Sequence, residues 1–394
     1  MSKVGYNGCS QLDMDRISAE QLLDRREIQL DLEFVRSFLK DKTVLVTGGG
    51  GSIGSELCRQ IAECGVRRLI IFDIYENGAY YVHNELTSTH PELDVVTLIG
   101  SIRDEARVES VISQYRPDVI YHAAAHKHVP LMEQNPCEAV KNNVFGTLNV
   151  VRAADKYGVG RFIMISTDKS VNPTSVMGAT KRICEMIIQS YARTSKTEFA
   201  AVRFGNVLDS SGSVVPLFRH QIAEGGPVRV THPEVSRYFM TIPEAVALVL
   251  EAGVHARGGE IFVLDMGEPV KIVTLAERLI RLSGYEPYKD IMIEFTGLRP
   301  GEKLYEELLI KSETLDKTSH DMIFIEKDEP LTLGELEEKL EHLSRAVATG
   351  EDAAVREALH KVVPTFRTPT EINADAAKAD EMREARETVE TVSV

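Results

Sequence analysis

The stretch VLVTGGGGSIGSELCRQI, residues 44–61, passes from a β-branched apolar run into a helical pattern through a cluster of glycines. Few folds accept that order. Gly48 permits a tight turn at the strand end, Gly51 lets a pyrophosphate approach bare backbone, and Gly54 lets helix and strand pack closely. The first N–H groups of the helix, Ser52 and Ile53 among them, then face the phosphates at the positive end of its dipole. The next strand-like run ends in Asp73, nineteen residues after Gly54. A carboxylate there hydrogen-bonds an adenosine ribose 2′-OH and repels a 2′-phosphate, which predicts NAD in preference to NADP.

From Lys42 onward, β-rich runs alternate with helical ones. The runs are TVLVTG (43–48), RLIIFD (68–73), VVTLIG (95–100), VIYHAA (119–124), RFIMIS (161–166) and FAAVRFG (199–205). Buried strands separated by helices predict an α/β fold with a doubly wound parallel Rossmann sheet over residues 41–206. After residue 206, Pro, Gly and Ser become frequent and the elements shorten. That shift predicts a smaller substrate-binding lobe over 207–330, with some segments returning to the sheet. Residues 1–40 read as a helical extension flanking the sheet. Residues 331–394 read as a helical region with a charged tail, either a solvated helix or frayed from about Thr370.

With 394 residues, 43% apolar and 27% charged, the chain can bury a sizeable core. Its net charge of −15 argues against nucleic acid or an anionic membrane as a main partner. A phosphorylated small molecule stays open, since it needs only local cations and backbone N–H groups. Cys9, Cys58, Cys64, Cys137 and Cys184 form no CxxC pair, which reads as reduced thiols in a cytoplasmic protein. His122 and His126 stand four apart, a spacing that serves a metal only on a helix; here a strand and loop are expected, and no metal. No signal peptide is read, and no apolar run approaches the roughly 20 residues of a bilayer span.

Six stretches occur in order: TGGGGSIGSE, HAAAHKHVPLMEQNP, NNVFGT, STDKSVNPTSVMGATK, RFGNVLDSSGSVVPLF and LRPGEKLYEEL. Together they resemble the extended short-chain dehydrogenase/reductase superfamily and, within it, the UDP-N-acetylglucosamine 4,6-dehydratases, over about residues 25–325. The STDK…MGATK version is similar to a longer branch whose members usually carry an N-terminal membrane region; the sequence given holds no such run. The resemblance implies an NAD-dependent lyase of glycan or polysaccharide biosynthesis. NAD takes a hydride from C4 of UDP-N-acetylglucosamine, the ketone acidifies C5, water leaves across C5–C6, and the hydride returns to C6. With C5 retained, the product implied is UDP-2-acetamido-2,6-dideoxy-α-D-xylo-hexos-4-ulose.

Such chemistry needs a base for C5 and an acid for the departing C6 hydroxyl. The resemblance places these at Lys169 and Asp168, beyond the C-terminal end of a strand, where open α/β sheets bind ligands. Lys169 would need a lowered pKa and Asp168 a raised one. Neighbours on a regular strand point to opposite faces, so the strand must end by Thr167 for both to serve. In the wider superfamily a tyrosine stands four residues before the lysine that binds the nicotinamide ribose. Here Met177 precedes Lys181, on the same expected helix face. A thioether moves no proton, so Thr167, with a water leading to Asp168, is read as a rerouted path for the 4-OH proton.

By resemblance, Ala123 and Ala124 edge the cofactor, and Lys127 and His128 edge the sugar. Asn206, Arg237 and Arg299 would meet phosphate, and Glu302 the uridine ribose. Ser101 stands where many members carry an acid against the adenine, which leaves Ile102 and backbone groups to hold the ring, with Asp104 also on the cofactor side. A homo-oligomer is expected through sheet-flanking helices at about 135–157 and 175–194. Two rival readings remain. A nucleotide-sugar 4-epimerase needs no C5/C6 acid–base pair, and an inactive NAD- or UDP-sugar-binding subunit needs no chemistry.

Overall fold

The computed structural model describes residues 17–23, 32–307, 315–318, 320–326, 330–368 and 371. One large sheet holds β1 (Thr43–Thr47), β2 (Arg68–Asp73), β3 (Asp94–Ile99), β4 (Val119–His122), β5 (Arg161–Ile165), β6 (Glu198–Arg203), β7 (Ile261–Leu264), β8 (Leu315–Lys317) and β9 (Ile323–Glu326). Its order is β8-β9-β7-β6-β5-β4-β1-β2-β3. The strands from β3 through β7 run parallel, while β9 and β8 add antiparallel at the far edge. The six expected strands are all present, in a doubly wound Rossmann arrangement. β1 is buried at every position because helices cover both faces of the sheet. The chain reverses its direction of travel across the sheet between β1 and β4, and the crevice beyond their C-terminal ends is where such sheets take ligands.

One face is covered by the helices Glu33–Leu39, Ser52–Ala62 and Ile242–His255, packed over Val44, Val46, Ile163 and Val202. On the other face Glu105–Tyr115, Gly146–Tyr157 and Val176–Ala192 pack over Leu45, Ile70, Ile120 and Phe162. A smaller lobe has its own core around Phe218, Ile222, Leu275, Leu279 and Ile291. Its helices are Val214–Ala223 and Ile272–Leu282, and its strands Val228–Val230 and Ile293–Phe295 pair in parallel.

Two expectations about the flanks change. The N-terminal extension does not act as one sheet-flanking unit. Val35 and Leu39 do pack on the sheet, but Ile17 and Leu22 belong to the core of the smaller lobe. Arg278 Nη1 donates to Leu22 O at 2.8 Å, which ties that short helix to the lobe. The second change concerns the helix at 175–194, expected to meet another copy. Its apolar side lies in one cluster with Leu336, Leu340, Leu343, Val355, Leu359 and Val362 of the chain's own helices Leu333–Ala348 and Asp352–Val362. Those residues form apolar stripes at helical spacing that must be buried somewhere. Self-association through that face would have to displace them. Apart from Glu371, the tail from about Thr370 lies outside the described residues, as does Cys9. Among the described residues, no helix is long and apolar enough to cross a membrane.

Candidate active site

A cleft of about 670 Å³ opens between the sheet's C-terminal edge and the smaller lobe. Gly48, Gly51, Ser52, Ile53, Gly54 and Ala123 line one end of it. Gly48 has φ +70°, and a Cβ there would sit 2.7 Å from Ala124 N. A Cβ on Gly54 would overlap Gly48 O, so the helix can approach the strand end only with glycine at that position. Gly51 caps the Ser52–Ala62 helix without a side-chain hydrogen bond, which leaves its first N–H groups to the cleft. Gly54→Ala is therefore expected to weaken dinucleotide binding by about 10–100-fold, through a displaced turn. Isothermal titration calorimetry with NAD measures this; unchanged affinity would mean that the turn is not the cradle.

Asp73 stabilises the same turn from the end of β2. Its carboxylate accepts from Gly50 N and from Tyr75 N, both at 2.8 Å. Asp104 differs from expectation. It caps the helix Glu105–Tyr115, accepting from Arg107 N at 3.0 Å, and Ile102 is buried against Gly146. Neither is presented in the wall of the cleft, because closing that helix end and filling the core have claimed them.

At the centre, β5 ends at Ile165 and Thr167 caps a single 3-10 turn, Asp168–Ser170. The regular strand is thus over before the functional residues begin, and the alternation of faces no longer separates them. Lys169 Nζ lies 3.0 Å from Asp168 Oδ1, and Thr167 Oγ1 donates to that same oxygen at 2.8 Å. Thr167, Lys169, Met177 and Lys181 line the cleft. Asp168 stands behind them with no exposed surface, so it meets the cleft through the Thr167 hydroxyl and the Lys169 amino group. Ser175 caps the Val176–Ala192 helix by accepting from Gly178 N, which places Met177 one turn before Lys181.

A buried ionic clamp holds this turn. Glu185 Oε1 accepts from Ser166 Oγ at 2.6 Å and from Ser170 Oγ at 2.8 Å, gripping both ends of the Thr167–Lys169 segment. Arg203, wholly buried, pairs with Glu185 at 2.7 Å and with Glu326 of β9 at 2.6 Å. The antiparallel strand that sequence patterning left unassigned therefore supplies a counter-ion beneath the site.

The charge states differ from the expected pair. Burial raises the Asp168 carboxyl above its usual range, as anticipated. Burial also pushes Lys169 downward, but the carboxylates of Asp168 and Glu306 outweigh it, and the amine sits higher than usual. The unlowered lysine has one cause that the sequence did not reveal: Glu306, buried and lining the cleft, with Oε1 3.4 Å from Lys169 Nζ. The stretch LRPGEKLYEEL offers Glu306 and Glu307 side by side, and nothing in the pattern tells the buried one from its exposed neighbour.

On the far wall, Asn206 Oδ1 lies 3.2 Å from Lys169 Nζ, so this residue joins the cluster around the lysine. Arg237 is not a free phosphate clamp. Its guanidinium donates to Ser236 O, Leu304 O and Lys303 O and pairs with Glu302 and Glu306, each at 3.4 Å. Arg299 remains half exposed at the rim, 3.5 Å from Glu302. Glu302 also accepts from Thr231 Oγ1 at 3.0 Å. Lys127 and His128 line the opposite rim, and Gly212 allows the loop of the smaller lobe to touch the His128 ring. Ser211 N donates to Ser52 Oγ at 3.0 Å, joining that loop to the glycine turn. His122 is no ligand: Thr47 Oγ1 and Thr147 Oγ1 hold its ring at 2.7 and 2.9 Å, and burial, with Lys181 nearby, keeps it down to about 3.

A profile of the polysaccharide biosynthesis protein family matches residues 44–328, which span the glycine turn, the Thr167–Lys169 segment and Glu306. The chain belongs to that family. Among curated members and relatives, the capsular polysaccharide biosynthesis protein CapD of Staphylococcus aureus is 54% identical over 314 residues, 79% of this chain and 52% of that protein. This polysaccharide biosynthesis family member thus spans about half the length of that relative. A UDP-glucose 4-epimerase of Rickettsia canadensis is 36% identical over 284 residues, 70% of this chain and 80% of that one. The UDP-N-acetylglucosamine 4,6-dehydratase (inverting) of Campylobacter jejuni is 32% identical over 312 residues, 76% of this chain and 89% of that one. In three dimensions, the crystal structure of Pen from Bacillus thuringiensis superposes with a TM-score of 0.68 at 36% identity, covering 75% of this chain and 92% of that one.

The family member's own residues fit a dinucleotide. The uncapped helix start and the close-packed glycine turn make an anion cradle. Lys181 is 5% exposed and lines the cleft with no hydrogen-bond or ion-pair partner among the described residues. Its amino group is thus placed to donate to an acceptor entering the cleft, such as a ribose hydroxyl.

Proposed function

We propose that the chain is an NAD-dependent UDP-N-acetylglucosamine 4,6-dehydratase that retains the C5 configuration. The observation that carries this reading is the Asp168–Lys169 pair, 3.0 Å apart on a turn at the cleft. A 4-epimerase has use for one group at the 4-OH and none for an acid–base pair reaching C5 and C6. The relatives include both activities, so the site itself must discriminate, and its composition favours dehydration.

NAD, held by the glycine turn and Lys181, supplies a reversible hydride acceptor. The remaining work falls to side chains. Thr167 Oγ1 lines the cleft and donates to Asp168, so its oxygen can accept a hydrogen bond from the sugar 4-OH, whose proton leaves to solvent with the hydride step; the single proton site of Asp168 is kept for Lys169. Met177 occupies the tyrosine position and moves no proton. Lys169 removes the C5 proton once its own extra proton has moved to Asp168, whose buried carboxyl favours the neutral form. Asp168 then holds the proton that the departing C6 hydroxyl needs, delivered through the Thr167 hydroxyl. Arg299 at the rim, and Lys127 and His128 opposite, bind the nucleotide sugar by charge and contact.

Mass spectrometry of UDP-N-acetylglucosamine incubated with the purified protein and NAD tests the proposal. Loss of one water is expected. Unchanged mass with a new sugar on chromatography would establish an epimerase, and no change of any kind would leave a binding subunit.

A further inference from the structure

We propose that Glu306 is a positioning residue of the proton-transfer set: its carboxylate is the counter-ion that orients Lys169 and sets how tightly it holds its proton. The geometry is that of a three-pronged socket. An ammonium has three N–H donors. Around Lys169 Nζ stand Asp168 Oδ1 at 3.0 Å, Asn206 Oδ1 at 3.2 Å and Glu306 Oε1 at 3.4 Å. The three acceptors come from three separate segments, so together they aim the amine as well as charge it. Glu306 Oε2 is buried without a hydrogen-bond partner, in a residue that lines the cleft. A carboxylate held there at that cost is stable only because cations surround it.

The two carboxylates flanking Lys169 are not equivalent, and that difference assigns their roles. Glu306 faces Lys169, Arg237 at 3.4 Å, and Lys303, whose combined charge overrides burial and keeps its carboxyl below the usual range. Asp168 faces Lys169, Thr167 and Glu306, with Tyr238 nearby, and burial dominates. A proton leaving Lys169 therefore goes to Asp168, and Glu306 stays ionised. When Lys169 takes a proton from carbon, positive charge returns to its nitrogen 3.4 Å from a standing negative charge. Glu306 thus supports the lysine as the base, while Asp168 exchanges protons with it. This rests on the dehydratase reading for the identity of the carbon acid, but the coupling between Glu306 and Lys169 does not.

The experiment reads that coupling with and without turnover. The full chain is treated with acetic anhydride across a pH series, and acetylation of Lys169 is followed by peptide mass spectrometry in wild type, Glu306→Gln and Glu306→Asp. Removing a neighbouring negative charge lowers the lysine's proton affinity. The onset of acetylation in Glu306→Gln is therefore expected at lower pH, by on the order of one unit, with Glu306→Asp in between. In turnover, Glu306→Gln is expected to reduce kcat by about 10–100-fold, with KM little changed. The alkaline limb of its pH profile moves to lower pH, because the Asp168–Lys169 pair surrenders its shared proton sooner. An acetylation onset identical to wild type overturns the proposal, as does a rise in KM at unchanged kcat, which would make Glu306 a substrate contact. A wild type without turnover, but with the shifted onset in Glu306→Gln, sinks the dehydratase reading and leaves the Lys169–Glu306 coupling standing.

Discussion

Lys169→Ala is expected to cut water loss from UDP-N-acetylglucosamine by about 10³-fold while NAD binding stays within a few-fold of wild type. The amine is the cleft-facing member of the acid–base pair, since Asp168 has no exposed surface of its own. Truncation removes the base and leaves Asp168 with Thr167 as its remaining side-chain hydrogen-bond donor. Product mass in a timed assay, beside calorimetric NAD titration, gives both quantities. A variant that still eliminates water at the wild-type rate would move the base elsewhere, and Lys127 on the opposite rim would be examined first. Loss of NAD binding together with activity would show that the substitution had collapsed the cleft, so that the rate carried no information about the base.

Arg203→Met is expected to be the most destabilising change near the site, by about 3–5 kcal/mol, because it removes the cation shared by two buried carboxylates and leaves Glu185 only Arg182 as a cationic partner, at 3.2 Å. Glu185 and Glu326 both pair with that guanidinium, and neither residue reaches water. A shift in the urea midpoint at constant slope measures it. A loss below about 1 kcal/mol would mean that the carboxylates take up protons at little cost. Acid provides an independent check. Burial alone would raise Glu185, but Arg203 holds it down to about 2, against 4.5 for an unperturbed side chain. The folded carboxyl is thus more acidic than the unfolded one. Its contribution is complete above about pH 4.5 and disappears as pH falls toward 2. In Arg203→Met that acid-side slope should shrink, since only Arg182 and the serine hydroxyls still favour the charged form of Glu185.

The sequence was most legible where a local rule has a single physical cause. Alternating apolar runs specified strands β1 to β6, since a parallel sheet covered on both faces demands continuous apolar residues along its interior strands. Gly48 and Gly54 of the first turn could be read individually because backbone approach excludes a Cβ at both. Along the Val176–Ala192 helix, helical spacing put Met177 and Lys181 on one face. Even the worry that Asp168 and Lys169 would diverge was answerable only in outline, as a requirement that the strand stop in time.

Long-range placement decided the remainder. β7, β8 and β9 joined the sheet after the chain had built a second lobe; a return of some segments was expected, but local pattern does not say which ones or in what order. The two C-terminal helices pack in one cluster with the helix at 175–194. An apolar stripe states that it must be buried, not against what. Asp104 caps a helix, a placement that its position in the sequence left open. Arg237 lines the cleft as expected of a phosphate contact, but its guanidinium also bonds the carbonyls and carboxylates around it, which spacing alone does not show.

The sequence by itself therefore determined the Rossmann sheet, the dinucleotide turn and the residue types available for proton transfer, because each follows from spacing within a few turns or strands. Only the tertiary structure decided which way the protons lean. Lys169 sits between carboxylates contributed from its own turn and from a segment well over a hundred residues later in the chain. A pKa is set by the charges and the water within a few ångströms, and distance along a sequence carries no information about either.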